Sequence, residues 1–189
     1  EKAEQVKAAA RKSVGATFAA DALAFEASRI AALLGHLDEE VGALDKEIAR
    51  LIDPEVSELL QSIPGIGPVC AATIAAEVGD PDRFESPRKL VAYSGMDAAK
   101  YQSGKFDGDG QHMSKRGSAP LRDALMTAAD RARMHDPYFG DYYDSLRARG
   151  KHHYVAVSAC GRKLCGVILA VLRERRPYES RPSVQSGTE

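Results

Sequence analysis

Ile63-Pro64-Gly65-Ile66-Gly67-Pro68 lies between the apolar pair Leu59-Leu60 and the alanine-rich run Val69 to Val78. Proline and glycine at this density break one helix and begin another. Pro64-Gly65 stops the first, and Pro68 suits a first helical position, where its missing N–H removes no helical hydrogen bond. The stretch therefore reads as a helix-hairpin-helix. In such a corner the glycines Gly65 and Gly67 permit a tight turn and let backbone N–H groups approach a phosphate. The second helix adds its positive N-terminus to the same anion. Contacts of that kind position a protein on DNA without reading its bases. The same spacing also fits a plain corner between two helices, and some such corners bind protein.

Upstream of the corner, Ala16, Ala20, Leu23, Ala27, Ile30, Leu34, Leu37, Val41, Leu44, Ile48 and Leu51 alternate steps of four and three. That is a sustained heptad seam, with charges kept off it. It predicts a coiled-coil helix over residues 1–53, ended by Asp53-Pro54. A long helix packed on its own domain is the alternative. Downstream, Gly79-Asp80-Pro81 stops the second hairpin helix. Ser86-Pro87 opens a helix through about Tyr93, and Ser118 one from Ala119 to Met134. Asp136-Pro137 opens the next, to Arg149, and the last runs from about His152 to Arg175. Helix formers dominate and alternating β-branched runs are nearly absent, so the fold class is all-α. The expected organisation is a coiled-coil segment 1–53, a helical domain 54–176 and a disordered tail 177–189. Residues 95–117 are the least periodic part, with five glycines. A loop of that length inside a compact domain is usually functional or mobile.

The formal net charge of −1 hides an asymmetry: residues 1–99 hold 10 Lys/Arg against 17 Asp/Glu, residues 100–176 hold 15 against 8. A basic second half suits a polyanionic partner. Cys70, Cys160 and Cys165 have no metal-ligand spacing and read as reduced thiols. The five histidines form no ligand set, so no metal site is expected. No apolar stretch reads as a membrane span, and no targeting segment is visible. The chain starts at Glu1 rather than Met, which suggests the interior of a longer protein.

Two regions have residues suited to phosphate chemistry. In the glycine-rich loop, Tyr101-Gln102-Ser103-Gly104-Lys105 precedes Ser114-Lys115-Arg116-Gly117. A serine attacking a phosphodiester needs a mobile approach and cations to stabilise the oxyanions. Gly104 suits the first need; Lys105, Lys115, Arg116 and Arg122 suit the second. Taken by itself, a serine in such a loop is more often a turn residue or a phosphate contact. The second region is helical and basic, from Arg131 to Arg176, with Tyr142, Tyr143 and Tyr154 interleaved.

The order of short blocks is more informative than any one of them. After the hairpin come Glu77-Val78-Gly79-Asp80, Arg83-Phe84 and Lys89-Leu90-Val91-Ala92-Tyr93-Ser94-Gly95-Met96. Gln102-Ser103-Gly104-Lys105, His112-Met113-Ser114-Lys115-Arg116-Gly117 and Leu121-Arg122 follow. Over about residues 57–135 this order resembles the C-terminal domain of transposases of the insertion-sequence 110/116/902 family. The resemblance implies a serine-dependent DNA recombinase of mobile elements, cytoplasmic and nucleoid-associated in bacteria. It makes Ser103 the nucleophile, with Ser114 as runner-up. DNA contacts are expected at Gly65, Gly67, Lys105, Lys115, Arg116 and Arg122. It also implies a structured guide RNA, homo-oligomers joined by the coiled coil, and Mg²⁺ held by an N-terminal RNase H-like domain outside this chain. The chain alone is then expected to need no cofactor and to be inactive. The family commonly has a proline soon after the Gly-Leu/Met pair; this chain has Asp97-Ala98-Ala99. Two other readings stay open: a non-enzymatic DNA-binding module, and a coiled-coil scaffold.

Overall fold

The structure, a computed structural model, describes residues 2–12, 19–98, 102–103, 106–107 and 112–180. Among these are eight α-helices: α1 (Lys2–Lys12), α2 (Ala20–Leu51), α3 (Pro54–Gln61), α4 (Pro68–Val78), α5 (Pro87–Tyr93), α6 (Ala119–His135), α7 (Pro137–Ala148) and α8 (His153–Glu174). A 3-10 turn spans Pro81–Arg83. The only strands described, β1 (Gln102–Ser103) and β2 (Phe106–Asp107), pair antiparallel with Ser103 opposite Phe106. The all-α expectation holds.

Local chemistry explains most of the boundaries. Pro54, Pro68, Pro87 and Pro137 stand at the first turns of α3, α4, α5 and α7, where proline's fixed φ is already helical. Asp53 accepts from the N–H of Glu55 at 2.9 Å, Ser118 from Leu121 at 3.1 Å and Asp136 from Phe139 at 3.2 Å. Each satisfies an amide that the first turn leaves without a helical partner. Ser86 occupies the cap of α5 but makes no side-chain bond to it.

The chain divides into two compact units, 1–44 and 45–189. In the first, α2 has no buried residue, and Leu23, Ile30, Leu34, Leu37, Val41 and Leu44 are each 49% or more exposed. Within this unit the described residues leave the heptad seam exposed. The first unit ends at Leu44, nine residues before the expected 53. The cause is that Ile48, Leu51 and Ile52 line an apolar groove of about 510 Å³ with Val56, Val69 and Thr73, which joins them to the second unit. Helix α1 lies within the span 1–53 expected to be helical, and Ala16 of the seam lies outside the described residues.

The second unit is built around α8, which packs against α3, α5, α6 and α7, while α4 packs on α3 and α6. Helix α8 corrects the view that no stretch could span a membrane: its 22 residues are long and apolar enough by length and composition. Two-thirds of its most apolar window is buried, and Ala156, Val157, Cys160, Leu164, Cys165, Ile168 and Leu169 form the core with Leu60, Ile63, Ile74, Leu90 and Leu121. Its hydropathy is thus accounted for by packing.

Beyond α8 the described chain continues against the helical body. Residues 177–180 are fixed by a buried carboxylate: Asp136 is 3% exposed and accepts from Tyr178 Oη at 3.1 Å and Ser180 Oγ at 2.8 Å. The N–H of Tyr178 also donates to Ser62 Oγ at 2.8 Å. A charge removed from water is tolerated only with such partners, and the start of the tail supplies them. Residues 181–189 lie outside the described residues.

Candidate functional site at the neck of the 99–111 segment

The stretch that follows α5 and the stretch that precedes α6 form two legs that are stitched together. Backbone bonds run from Ser118 N to Tyr93 O at 2.8 Å, from Lys115 N to Gly95 O at 2.9 Å and from Ser114 N to Asp97 O at 2.8 Å. An isolated antiparallel bridge pairs Ala98 with Met113. The legs approach this closely because of two glycines. A Cβ on Gly117 would stand 2.2 Å from Tyr93 O, and one on Gly95, at φ +69°, 2.9 Å from Arg116 N. No larger residue fits either place without moving backbone.

Side chains complete the neck. Ser114, half-buried, donates its hydroxyl to Asp97 Oδ1 in a short bond, and its Oγ accepts from Arg116 N at 3.3 Å. Arg122 of α6 donates to Ser94 O at 3.2 Å, and Arg162 of α8 to Met96 O at 3.5 Å and Ser158 Oγ at 2.9 Å. Each guanidinium has five N–H donors, so both retain donors beyond those bonds. Lys115 and Arg116 are exposed, and Lys115 is held at φ +54°. Arg122 and Arg162 thus bond backbone carbonyls of the first leg, and Lys115 and Arg116 follow Ser114 on the second.

Of the expected site residues, Ser114, Lys115, Arg116 and Arg122 are brought together here. Ser103 lies on β1, ten residues before Met113 along the chain; its side chain, and Lys105 altogether, are outside the described residues. The hairpin glycines belong elsewhere. Gly65, at φ +94°, presses against α6: a Cβ there would lie 2.6 Å from Ala128 O and from Ala132 N. Its lack of a side chain is thus used for helix packing. Gly67 is the extended N-cap of α4, with no side-chain bond to the first-turn amides and nothing within 4 Å of a Cβ. Helix α6 holds both features, with Arg122 six to ten residues, roughly 9–15 Å, from its contact with Gly65.

The basic helical region is largely engaged within the molecule. Arg133 pairs with Asp130 at 2.7 Å and lies over the Tyr143 ring; Arg173 pairs with Asp82 at 3.2 Å; Arg175 pairs with Glu55 at 2.7 Å. Lys163 sits 3.8 Å from the Tyr142 ring centre and 4.4 Å from that of Tyr138. Asp97 and Arg162 are neck residues that the sequence marked only as a departure from the family pattern and as one of the basic helical residues, not as members of this site. Their partners lie 17 and 66 positions away, and no periodicity links them. The three thiols are poor nucleophiles: burial pushes Cys70 and Cys160 up to about 11 and Cys165 to about 12. Among the described residues no His/Cys/Asp/Glu group of three or more is placed to hold a metal ion.

Comparison with known proteins then places the chain. Residues 57–144 match the Transposase IS116/IS110/IS902 family. The chain is 33% identical over 153 residues to the insertion element IS110 43.6 kDa protein of Streptomyces coelicolor, covering 80% of this chain and 38% of that one. It is 30% identical over 152 residues to the pilin gene-inverting protein of Moraxella bovis, covering 77% and 47%. It is 34% identical over 98 residues to the transposase for insertion sequence element IS1328 of Yersinia enterocolitica, covering 50% and 28%. The chain thus spans less than half the length of these relatives. Through residues 57–144, which include both the hairpin and the neck, the chain belongs to the IS116/IS110/IS902 transposase family.

Proposed function

We propose that this chain is the strand-transfer portion of a serine-dependent DNA transposase or recombinase, with Ser103 as nucleophile. The observation that supports it best is the cationic neck: Lys115, Arg116, Arg122 and Arg162 gather where the segment bearing Ser103 joins the helical body, in a chain of a transposase family. In the reaction Ser103 Oγ forms a bond to a DNA phosphorus as the bond from phosphorus to one deoxyribose oxygen breaks. The serine proton is lost to a base or water, and the departing sugar oxygen takes up a proton. A hydroxyl from another strand reverses the step and releases the serine. Charge gathers on the non-bridging oxygens during each attack, and fixed guanidinium and ammonium groups stabilise it.

The uncapped first turn of α4, next to Gly67, suits a backbone phosphate that positions the duplex. The uncovered seam of α2 suits pairing with α2 of a second copy. By family resemblance, a guide RNA selects the DNA, and an acidic domain beyond this chain holds the Mg²⁺ of the full reaction. The setting is the bacterial cytoplasm, on the nucleoid. A non-enzymatic DNA-binding module is the second reading, favoured by that same uncapped helix, which needs no chemistry to be useful. The test is substitution in the intact gene product. Ser103→Ala is expected to abolish transposition while DNA affinity stays nearly unchanged. Equal loss of affinity would make Ser103 a phosphate contact and leave the second reading standing.

A further inference from the structure

Ser114 is a serine with a carboxylate on its hydroxyl, and two roles fit that description. In one, Asp97 activates Ser114 for attack. In the other, the pair is a lock that holds the two legs of the neck. Three features favour the lock. First, Ser114 Oγ lies within the neck as well as against the carboxylate: it also accepts from Arg116 N at 3.3 Å and is 3.4 Å from Gly95 O. Its lone pairs and proton are thus directed at the chain itself, leaving a poor line of approach for a phosphodiester. Second, the same two residues are joined by the backbone bond from Ser114 N to Asp97 O at 2.8 Å, so side chain and main chain tie the same pair. Third, the pair sits one residue inside the Ala98–Met113 bridge, where the segment bearing Ser103 begins and ends.

We infer that Asp97 is a positioning residue for strand transfer, and that Ser114 is its partner in the lock. The inference rests on Ser103 being the nucleophile. Its physical basis is a tether. Ser103 is five residues from Ala98, so its Cα stays within about 18 Å of a fixed point on the neck. The second leg, tied at Ser114, fixes the chain at the other end of the same stretch of sequence. The lock also sets the backbone at Lys115 and Arg116, the residues immediately after Ser114, and so places the cations relative to the nucleophile's tether. A chemical step that depends on such placement slows sharply when the placement loosens, even if affinity is kept.

The experiment uses the intact gene product with its RNA and an end-labelled DNA substrate. It reads DNA affinity, the rate of covalent adduct formation and the residue that bears the adduct. Wild type is expected to form an adduct at Ser103. Asp97→Ala and Ser114→Ala should each slow it on the order of 10- to 100-fold with affinity unchanged, and the double variant should be no slower than either single one. Asp97→Asn and Ser114→Thr should restore most of the rate, because an amide oxygen still accepts the hydroxyl proton and threonine still donates one. A dead Asp97→Asn would show a base rather than a lock and overturn the inference. So would an adduct on Ser114, a wild-type rate for Asp97→Ala, or additive losses in the double variant. Absence of any adduct in wild type would instead overturn the Ser103 reading, and the inference with it.

Discussion

Lys115 stands at φ +54°, where an L side chain crowds its own backbone at a cost of roughly 1 kcal/mol. A residue kept in that state beside exposed Arg116 points to a use for its ammonium group. Lys115→Gly removes both the crowding and the charge, so the two effects separate: thermal stability should hold or rise by up to about 1 kcal/mol. DNA affinity should fall, and the slope of log affinity against log salt should become shallower by about 1. A fall in stability with an unchanged slope would remove Lys115 from the interface. The glycines give a sharper contrast. Gly65 and Gly67 look equivalent in sequence, but a Cβ on Gly65 meets α6 backbone at 2.6 Å, and one on Gly67 meets nothing within 4 Å. Gly65→Ala is therefore expected to destabilise the helical unit by about 1–3 kcal/mol, and Gly67→Ala by less than about 1 kcal/mol, measured by urea unfolding. Equal effects would contradict the packing role of Gly65.

At the scale of elements, α2 has an unusual surface for a helix in water: a seam of leucine, isoleucine and valine along much of its length, none of it buried. Apolar surface that continuous suits the pairing with a second copy proposed above. On that proposal, replacing Leu37 and Leu44 together by Glu should lower the sedimentation coefficient while leaving the unfolding of residues 45–180 intact. Unchanged sedimentation would refute pairing through α2. The helices and their ends were largely legible in the sequence, because caps and prolines mark them locally: α4 and α5 begin at Pro68 and Pro87, as those signals require. The neck was not. Its ties join Asp97 to Ser114, Gly95 to Lys115 and Tyr93 to Ser118, and pairings of aperiodic residues leave no mark in a hydrophobic pattern. The pairings of the basic helices were hidden for a related reason. Charge is visible in sequence, but the Asp82 that takes up Arg173, or the Glu55 that takes up Arg175, becomes visible only once the chain is folded.

For the whole molecule, α8 ties the hairpin, the neck and the tail into one unit, and its cysteines make that unit sensitive to alkali. The folded thiols ionise near 11 to 12, whereas an unfolded thiol ionises near about 8.5. Below that lower value both states keep the proton and stability is undiminished. Above it the unfolded chain ionises first, so stability falls as pH rises until the folded thiols ionise too. The slope is at most about 1.4 kcal/mol per pH unit for each thiol. Urea unfolding at pH 8 and pH 10.5 should show this loss, and Cys160→Ala with Cys165→Ala should reduce it; an identical loss in that variant would assign it to other groups. The central claim concerns chemistry, and one measurement addresses it most directly. The intact gene product, with its RNA and labelled DNA, is denatured during reaction, and any protein–DNA adduct is mapped by mass spectrometry. The expected product is a phosphodiester on Ser103. Tight DNA binding by an otherwise complete enzyme with no serine adduct would contradict it and leave the chain as a binding module.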